Sequence, residues 1–199
     1  MHVLPFLSLL PLLVTSLSLP DAALEGLAVH LEDEAGNVTY VHESDFEAYS
    51  VSFSVHHTAP DNSTDTSNFA DFSALTGRSL APGDNINCVP KVTFNIIDLH
   101  TAMVNLADQL SCAYIINTNP GSRFKFVAAT YYSGSAVVYI CNYANKYQQL
   151  QGAQLVSFLE QVFNYCGQKS VAGWYYNKFQ DMSWGYTGSS HGYCQPGTS

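Results

Sequence analysis

Positive charge is the scarcest property of this chain. Seven lysines and arginines stand among 199 residues, against sixteen aspartates and glutamates. No basic run or stripe exists that could neutralise phosphates, so a nucleic-acid partner is not expected. Charge of either sign is thin, at 12% of residues, where soluble domains carry about 25%. The acid that is present lies early. Residues 19–87 hold twelve acids and one base, Arg78, while residues 88–199 hold four acids and six bases. That asymmetry suggests an acidic front segment joined to a near-neutral main domain.

Other absences narrow the chemistry. There is no C-x-x-C, so neither a zinc knuckle nor a thioredoxin-type site is indicated. There is no H-E-x-x-H and no internal repeat. Beyond residue 14 no apolar run approaches membrane-spanning length, so no transmembrane anchor is expected. Aromatics, by contrast, are plentiful at 13%, with thirteen tyrosines. A chain of this length and composition can bury a core of its own.

The one long apolar run is Val3 to Val14, and it contains Pro5 and Pro11. It is short for a membrane span, and two prolines argue against a buried helix. Ser16 and Ser18 follow with the small-x-small spacing that signal peptidase accepts. Residues 1–18 therefore read as a removed secretory signal peptide, with a mature start at or near Leu19. Two sequons agree with export, Asn37-Val38-Thr39 and Asn62-Ser63-Thr64, and make Asn37 and Asn62 glycan candidates. The expected localisation is extracellular. All five cysteines lie beyond residue 87: Cys88, Cys112, Cys141, Cys166 and Cys194. In an oxidising compartment they should form two disulfides and leave one free thiol. Spacing alone does not choose the pairs.

Four segments emerge: the signal peptide 1–18, an acidic β segment 19–56, a polar linker or loop 57–87, and a cysteine-containing domain 88–199. In the second, Leu27, Val29 and Leu31 alternate, "AGN" turns, and Val38 to Tyr40 return, which is a hairpin pattern. "YSVSFSV", residues 49–55, alternates strictly and predicts a half-buried strand. In the main domain Asn95 can cap a helix running to about residue 110. Leu99, Ala102, Met103, Leu106 and Leu110 fall on one face of it. "FKFVAATYYSGSAVVYICNY" reads as two strands. Gly152 to Cys166 predicts a second helix with Leu155, Phe158, Leu159, Val162 and Cys166 as its buried stripe, stopped by Gly167. "AGWYYNKF" and "MSWGYT" read as strands, and "GYC" closes the chain. The fold class implied is α+β: an antiparallel sheet with two helices on one face, plus the N-terminal hairpin-like segment.

Several residues invite a catalytic reading. "GSSHG", residues 188–192, matches the G-x-S-x-G of a nucleophile elbow. An elbow needs a helix after the serine, with an acid and then a histidine later in the chain. After Ser190 there is no Asp or Glu, Gly192 and Pro196 break any helix, and adjacent His191 should point away. A turn is the simpler reading. His30, His42, His56 and His57 lie in the acidic segment, and His30 and His42 could face each other across the hairpin. Solvent-facing histidines explain the pattern as well, and no metal or cofactor is expected. Asp98, Asp108, Glu160 and Asp181 could supply a glycosidase pair only if the fold brought two together. Asp98 suits the first turn of a helix, where its charge opposes the dipole.

The aromatics are the better binding candidates. Tyr132, Trp174, Tyr176, Trp184 and Tyr186 crowd the strands, and alternation turns some of them outward. Trp174 and Tyr176 share a face that Tyr175 does not. Outward aromatic rings stack on sugars or anchor protein contacts, while sheet core with ordinary cross-strand aromatic pairing is the favoured reading of any single one of them.

"GSAVVYICNY", a helix ending in "CG", then "AGWYY", "WGY" and a terminal "GYC" resemble a widespread group of small, secreted, cysteine-rich fungal proteins. "INC" before the first helix fits the same pattern, and the match covers about residues 86–195. Helix order and cysteine placement are more faintly similar to the viral killer toxins of smut fungi and to necrosis-inducing fungal effectors. The resemblance implies a non-enzymatic α/β sandwich acting outside the cell on a host or competitor, and it carries over no catalytic residue. One departure stands out. The family pattern has a further cysteine shortly after "CNY", where this chain reads "ANKYQQLQG". Against that pattern the free thiol is expected at Cys141, with Cys166 as the rival. Expected partners are an extracellular protein or a cell-wall glycan, and the expected state is a monomer, with a disulfide-linked dimer as the alternative. The competing functions are a secreted hydrolase and a wall carbohydrate-binding module.

Overall fold

A computed structural model describes residues 17–21, 23–49, 54–55, 84–111, 113–114, 125–144, 152–166 and 171–194. The elements in chain order begin with β1 (Gly26–Glu32), β2 (Val38–His42), a short 3-10 turn (Glu43–Asp45), β3 (Ser54–Val55) and β4 (Asn85–Pro90). They continue with α1 (Ile96–Ser111), β5 (Ala113–Tyr114), β6 (Lys125–Ser133), β7 (Ala136–Asn142), α2 (Gly152–Cys166), β8 (Val171–Asn177) and β9 (Met182–Gly188). Among the described residues, seven strands form one antiparallel sheet in the order β2-β1-β6-β7-β9-β8-β4. β3 and β5 make a separate two-stranded pair.

Local chemistry explains the elements. Asn95 Oδ1 accepts from the Ile97 amide at 2.8 Å and caps α1. Asp98, one turn in, accepts at 2.8 and 2.7 Å from the Ser135 amide and hydroxyl, which fastens α1 to the β6–β7 turn. Those two bonds hold the Asp98 carboxyl below the usual carboxylate range. Gly134 turns that hairpin with φ 53°, where a side chain would be strained. The β1–β2 turn is organised by Asp33 Oδ1, which accepts from the Ala35 and Asn37 amides, each at 2.9 Å.

Alternation then builds the core. Leu27, Val29 and Leu31 of β1, Val138 and Ile140 of β7, and Trp184 and Tyr186 of β9 point to one face, and all are buried. The helices lie on that face, α1 over β6 and β7 and α2 over β8, β9 and β4. Leu99, Ala102, Met103, Leu106 and Leu110 of α1 and Leu155, Leu159 and Val162 of α2 meet it, as the spacing predicts. Phe158 and Cys166 pack at the margin of this core. Each fully buried leucine contributes about 1.5–3 kcal/mol over an exposed one. α2 comes in close over Gly173, where a Cβ would stand 2.7 Å from Val162 Cγ1 and 2.8 Å from Cys166 Sγ.

Two buried polar atoms in this core, Trp184 Nε1 and Tyr186 Oη, have no hydrogen-bond partner among the described residues. Burial disfavours ionisation of the Tyr186 hydroxyl. An unsatisfied buried hydroxyl costs about 1–3 kcal/mol. Tyr186→Phe is therefore expected to leave stability unchanged or raise it by about 1 kcal/mol, read from the urea midpoint. A loss of stability of that size would show that the hydroxyl has a partner after all.

Some expectations change. The N-terminal hairpin is not set apart from the cysteine-containing segment, because β1 pairs with β6 along its length. The polar stretch ends before residue 87, since β4 starts at Asn85 and pairs with β8. Tyr49 lies in a turn rather than in the expected strand; Ser54–Val55 is strand, and residues 50–53 fall outside the described residues. "GYC" contributes one bridge rather than a strand of the sheet: Tyr193 exchanges backbone hydrogen bonds with Leu17 at 2.7 and 2.8 Å. Cleavage after Ser18 would free both of those Tyr193 groups. The Gly167 helix stop also lies outside the described residues.

The free-thiol expectation is overturned at both named positions. Cys88 of β4 is bonded to Cys166 at the end of α2, with Cα atoms 5.5 Å apart. Cys141 of β7 is bonded to Cys194, with Cα atoms 5.4 Å apart. Sequence separations of 78 and 53 residues hid these pairs, which the sheet brings within disulfide reach. The fifth cysteine, Cys112, lies outside the described residues. Among the described residues, no helix is long and apolar enough to cross a membrane.

Candidate functional site

The sheet face opposite the helices carries the other half of the alternation. Trp174 of β8 and Tyr139 of β7 flank Gly185 of β9, which sits directly between them in the register. Glycine there makes room: a Cβ would stand 2.5 Å from Tyr139 Oη and 2.7 Å from the Gly173 carbonyl. Tyr139 thus lies across the gap that Gly185 leaves. In the neighbouring rows Ala172 is small, and Ser183 and Thr187 bring hydroxyls.

After β9 the chain turns back over this face as a strap. The Ser189 amide donates to the Ser135 carbonyl at 2.9 Å, and the His191 amide to the Gly188 carbonyl at 3.0 Å. Tyr193 then stacks on Tyr139 with ring centroids 5.2 Å apart and planes 23° apart. Its hydroxyl shares a 2.8 Å hydrogen bond with His30 Nε2. The next residue, Cys194, is tied to Cys141 beneath. Strap and sheet enclose a cavity of about 170 Å³. Its floor holds Tyr139, Trp174, Ser183 and Thr187; His191, Gly192 and Tyr193 form a wall; Val89 and Tyr143 stand at the edge.

The polar groups of the cavity differ in how they are occupied. Tyr143 Oη and Ser183 Oγ share a 2.9 Å hydrogen bond. The Tyr176 hydroxyl, on the same face, donates to Asp181 Oδ1 at 2.8 Å. Tyr139, which lines the cavity, is only 4% exposed, and its hydroxyl bonds to no group among the described residues. Burial pushes its ionisation up, so it stays a neutral donor. Thr187, also 4% exposed, likewise makes no side-chain hydrogen bond among the described residues. Among the described residues no Asp, Glu, Lys or Arg lines the cavity.

Of the aromatics singled out in the sequence, Tyr132, Trp174 and Tyr176 are half-buried on this helix-free face. Trp184 and Tyr186 are not binding aromatics; both are fully buried under the helices. Trp184 stacks on Phe158 at 4.5 Å. The reason is parity. In "MSWGYTG" the large apolar residues Met182, Trp184 and Tyr186 share one face, and Ser183, Gly185 and Thr187 share the other. That signal was present in the sequence, as was Gly185 between two aromatic strands. Tyr139, Thr187 and Tyr193 were missed because a tyrosine inside "VVYIC" reads as core and the strap has no periodicity.

Ser190 lies in the turn after β9, as expected, and no helix follows it among the described residues. The expectation that His191 points away is wrong: Ser190 Oγ and His191 Nδ1 are 3.2 Å apart, on the exposed rim of the strap. His191 hydrogen-bonds no carboxylate among the described residues. His30 and His42 do not face each other, because the register sets His30 opposite Tyr40 and His42 opposite Ala28. His30 is buried and His42 bonds Ser44 and the Glu25 carbonyl. His56 and His57 lie outside the described residues, as does Asn62. Asn37 is exposed at the tip of the β1–β2 hairpin. Asp98 and Asp181 do not converge; they are anchored at opposite ends of β7. Among the described residues no group of three or more His, Cys, Asp or Glu could hold a metal ion.

No family model, no curated protein and no solved structure matches this chain.

Proposed function

We propose that the chain is a secreted, non-enzymatic small cysteine-rich protein of effector or toxin type, which binds an extracellular or host target through the helix-free face of its sheet. The observation that carries this reading is the cavity between strap and sheet, where the half-buried Trp174 ring is stacked on no other ring among the described residues. Export follows from the leader-like residues 1–18, glycosylation from the sequons at Asn37 and Asn62, and the biological class from the resemblance to small fungal secreted proteins. The test uses fluorescently labelled protein on intact fungal and plant cells and on isolated walls. Val89 is 38% exposed at the cavity edge, so Val89→Arg can obstruct the mouth without disturbing the core. Saturable binding that Val89→Arg lowers at least about fivefold supports the reading. Binding that is absent, or indifferent to Val89→Arg in a protein with unchanged circular dichroism, overturns it.

One observation favours a second reading, a secreted hydrolase: the Ser190–His191 contact at 3.2 Å beside the cavity. A serine nucleophile works with a histidine that is itself oriented by a third group. A hydrolase screen in which Ser190→Ala abolishes turnover would establish this reading over the binding one.

A further inference from the structure

Resting on the assignment of the helix-free face as the contact surface, we infer that the cavity binds one ring of a neutral saccharide, stacked against Trp174 and hydrogen-bonded by the Tyr139 and Thr187 hydroxyls. Three features of the cavity fix the ligand class. Its volume, about 170 Å³, lies below the roughly 300–1,000 Å³ of drug-sized sites and suits a single six-membered ring. Among the described residues no carboxylate, ammonium or guanidinium lines it, and His191 in the wall is the one ionisable side chain besides the tyrosines, so little there offsets the desolvation of a charged ligand. Two residues that line it, Tyr139 and Thr187, are each 4% exposed, and their hydroxyls bond no group among the described residues.

That third feature separates a sugar from an apolar protein side chain. A leucine or phenylalanine filling the cavity would seal both hydroxyls from water with no bond in return. A sugar ring offers hydroxyls around its edge and a C–H face to the indole. Ser183 is less available, since its hydroxyl is already shared with Tyr143.

The test is calorimetric titration of the secreted protein with laminaritriose, chitotriose and mannotriose, and with trigalacturonate as the charged control. Saturable binding of at least one neutral trisaccharide, and none of trigalacturonate, is expected. Tyr139→Phe keeps the ring and should weaken binding about fivefold, the effect of one neutral hydrogen bond. Trp174→Ala should weaken it at least about tenfold. If Trp174→Ala fails to fold, Val89→Arg at the exposed mouth serves in its place. No binding of any neutral trisaccharide overturns the inference, as does equal binding of trigalacturonate or indifference to Tyr139→Phe and Val89→Arg. Cell binding that persists and still depends on Val89, in a protein that binds none of the sugars, sinks the saccharide and leaves the contact surface standing.

Discussion

Replacing both Cys141 and Cys194 by alanine will lower the stability of the protein by about 4 kcal/mol and abolish the cavity. The first figure follows from the entropy of closing a loop of 53 residues in the unfolded chain. The second follows from what the bond holds. Cys194 is the anchor of the strap, and Tyr193 beside it supplies a wall, the stack on Tyr139 and the bond to His30. Both cysteines are buried, so the substitution also loses packing. Cys88 and Cys166 close a longer loop, but they join an exposed edge strand to the end of α2 on the helix-covered side of the sheet, opposite the cavity that neighbouring Val89 reaches. Their removal should destabilise by a similar amount while leaving ligand binding intact in the folded fraction. Guanidinium midpoints and binding measured on both double variants check this. A loss below about 1 kcal/mol for Cys141→Ala/Cys194→Ala, or unaltered binding, would show that the strap is held by other contacts.

Acidification is expected to cost about 3 kcal/mol between pH 6.5 and 4 through one side chain, His30, while Glu160, whose carboxyl pKa is raised by burial, acts in the opposite direction. His30 is 2% exposed, set edge-on to the Tyr40 and Tyr193 rings at 5.4 and 5.6 Å. Burial lowers its pKa to about 4, against an ordinary value of 6.5. The folded protein therefore keeps His30 neutral at a pH where the unfolded chain takes up a proton. Its contribution is complete above pH 6.5 and is lost as pH falls from 6.5 towards 4, the unfolded state binding more protons throughout that window. Tyr40 and Tyr193 have raised pKa values and stay neutral there. The carboxyls of Asp33 and Asp98 are held low by their hydrogen bonds. What they contribute is present above the ordinary carboxylate pKa and is lost only further into acid, so the windows separate. His30→Phe should remove the slope between pH 6.5 and 4.5 even though it sacrifices the Tyr193 bond. Urea midpoints that are level across that range in the unaltered protein, or equally steep in His30→Phe, would count against a neutral buried His30.

What the sequence revealed follows from the range of each signal. Both helices were legible because their apolar stripes and the Asn95 cap are local, and α2 runs from Gly152 to Cys166 as the spacing indicates. The hairpins were legible for the same reason. β4 was not, since "NINCVP" has no alternation and is an edge strand set by its pairing with β8. The place of β1 beside β6 was not either, because a hundred residues separate them and either sheet edge could have received it. The cysteine pairs depend wholly on that long-range arrangement. Half of the cavity was visible, in the parity that turns Trp174 away from Tyr175. The other half is made by the strap, whose path is fixed by the bond of Cys194 to Cys141 and the stack of Tyr193 on Tyr139.

The most direct test of the helix-free face as the contact surface needs no substitution, because the two tryptophans report on opposite sides of the sheet. Trp174 lines the cavity and Trp184 is sealed beneath α2. Nitrogen-15 spectra of the secreted protein, recorded while the saccharides or the solubilised wall fraction that retains it are added, should move the Trp174 indole signal and the amides of Tyr139 and Thr187. The Trp184 indole should stay in place. Shifts confined to the helices, with Trp174 unmoved under saturating ligand, would contradict the account.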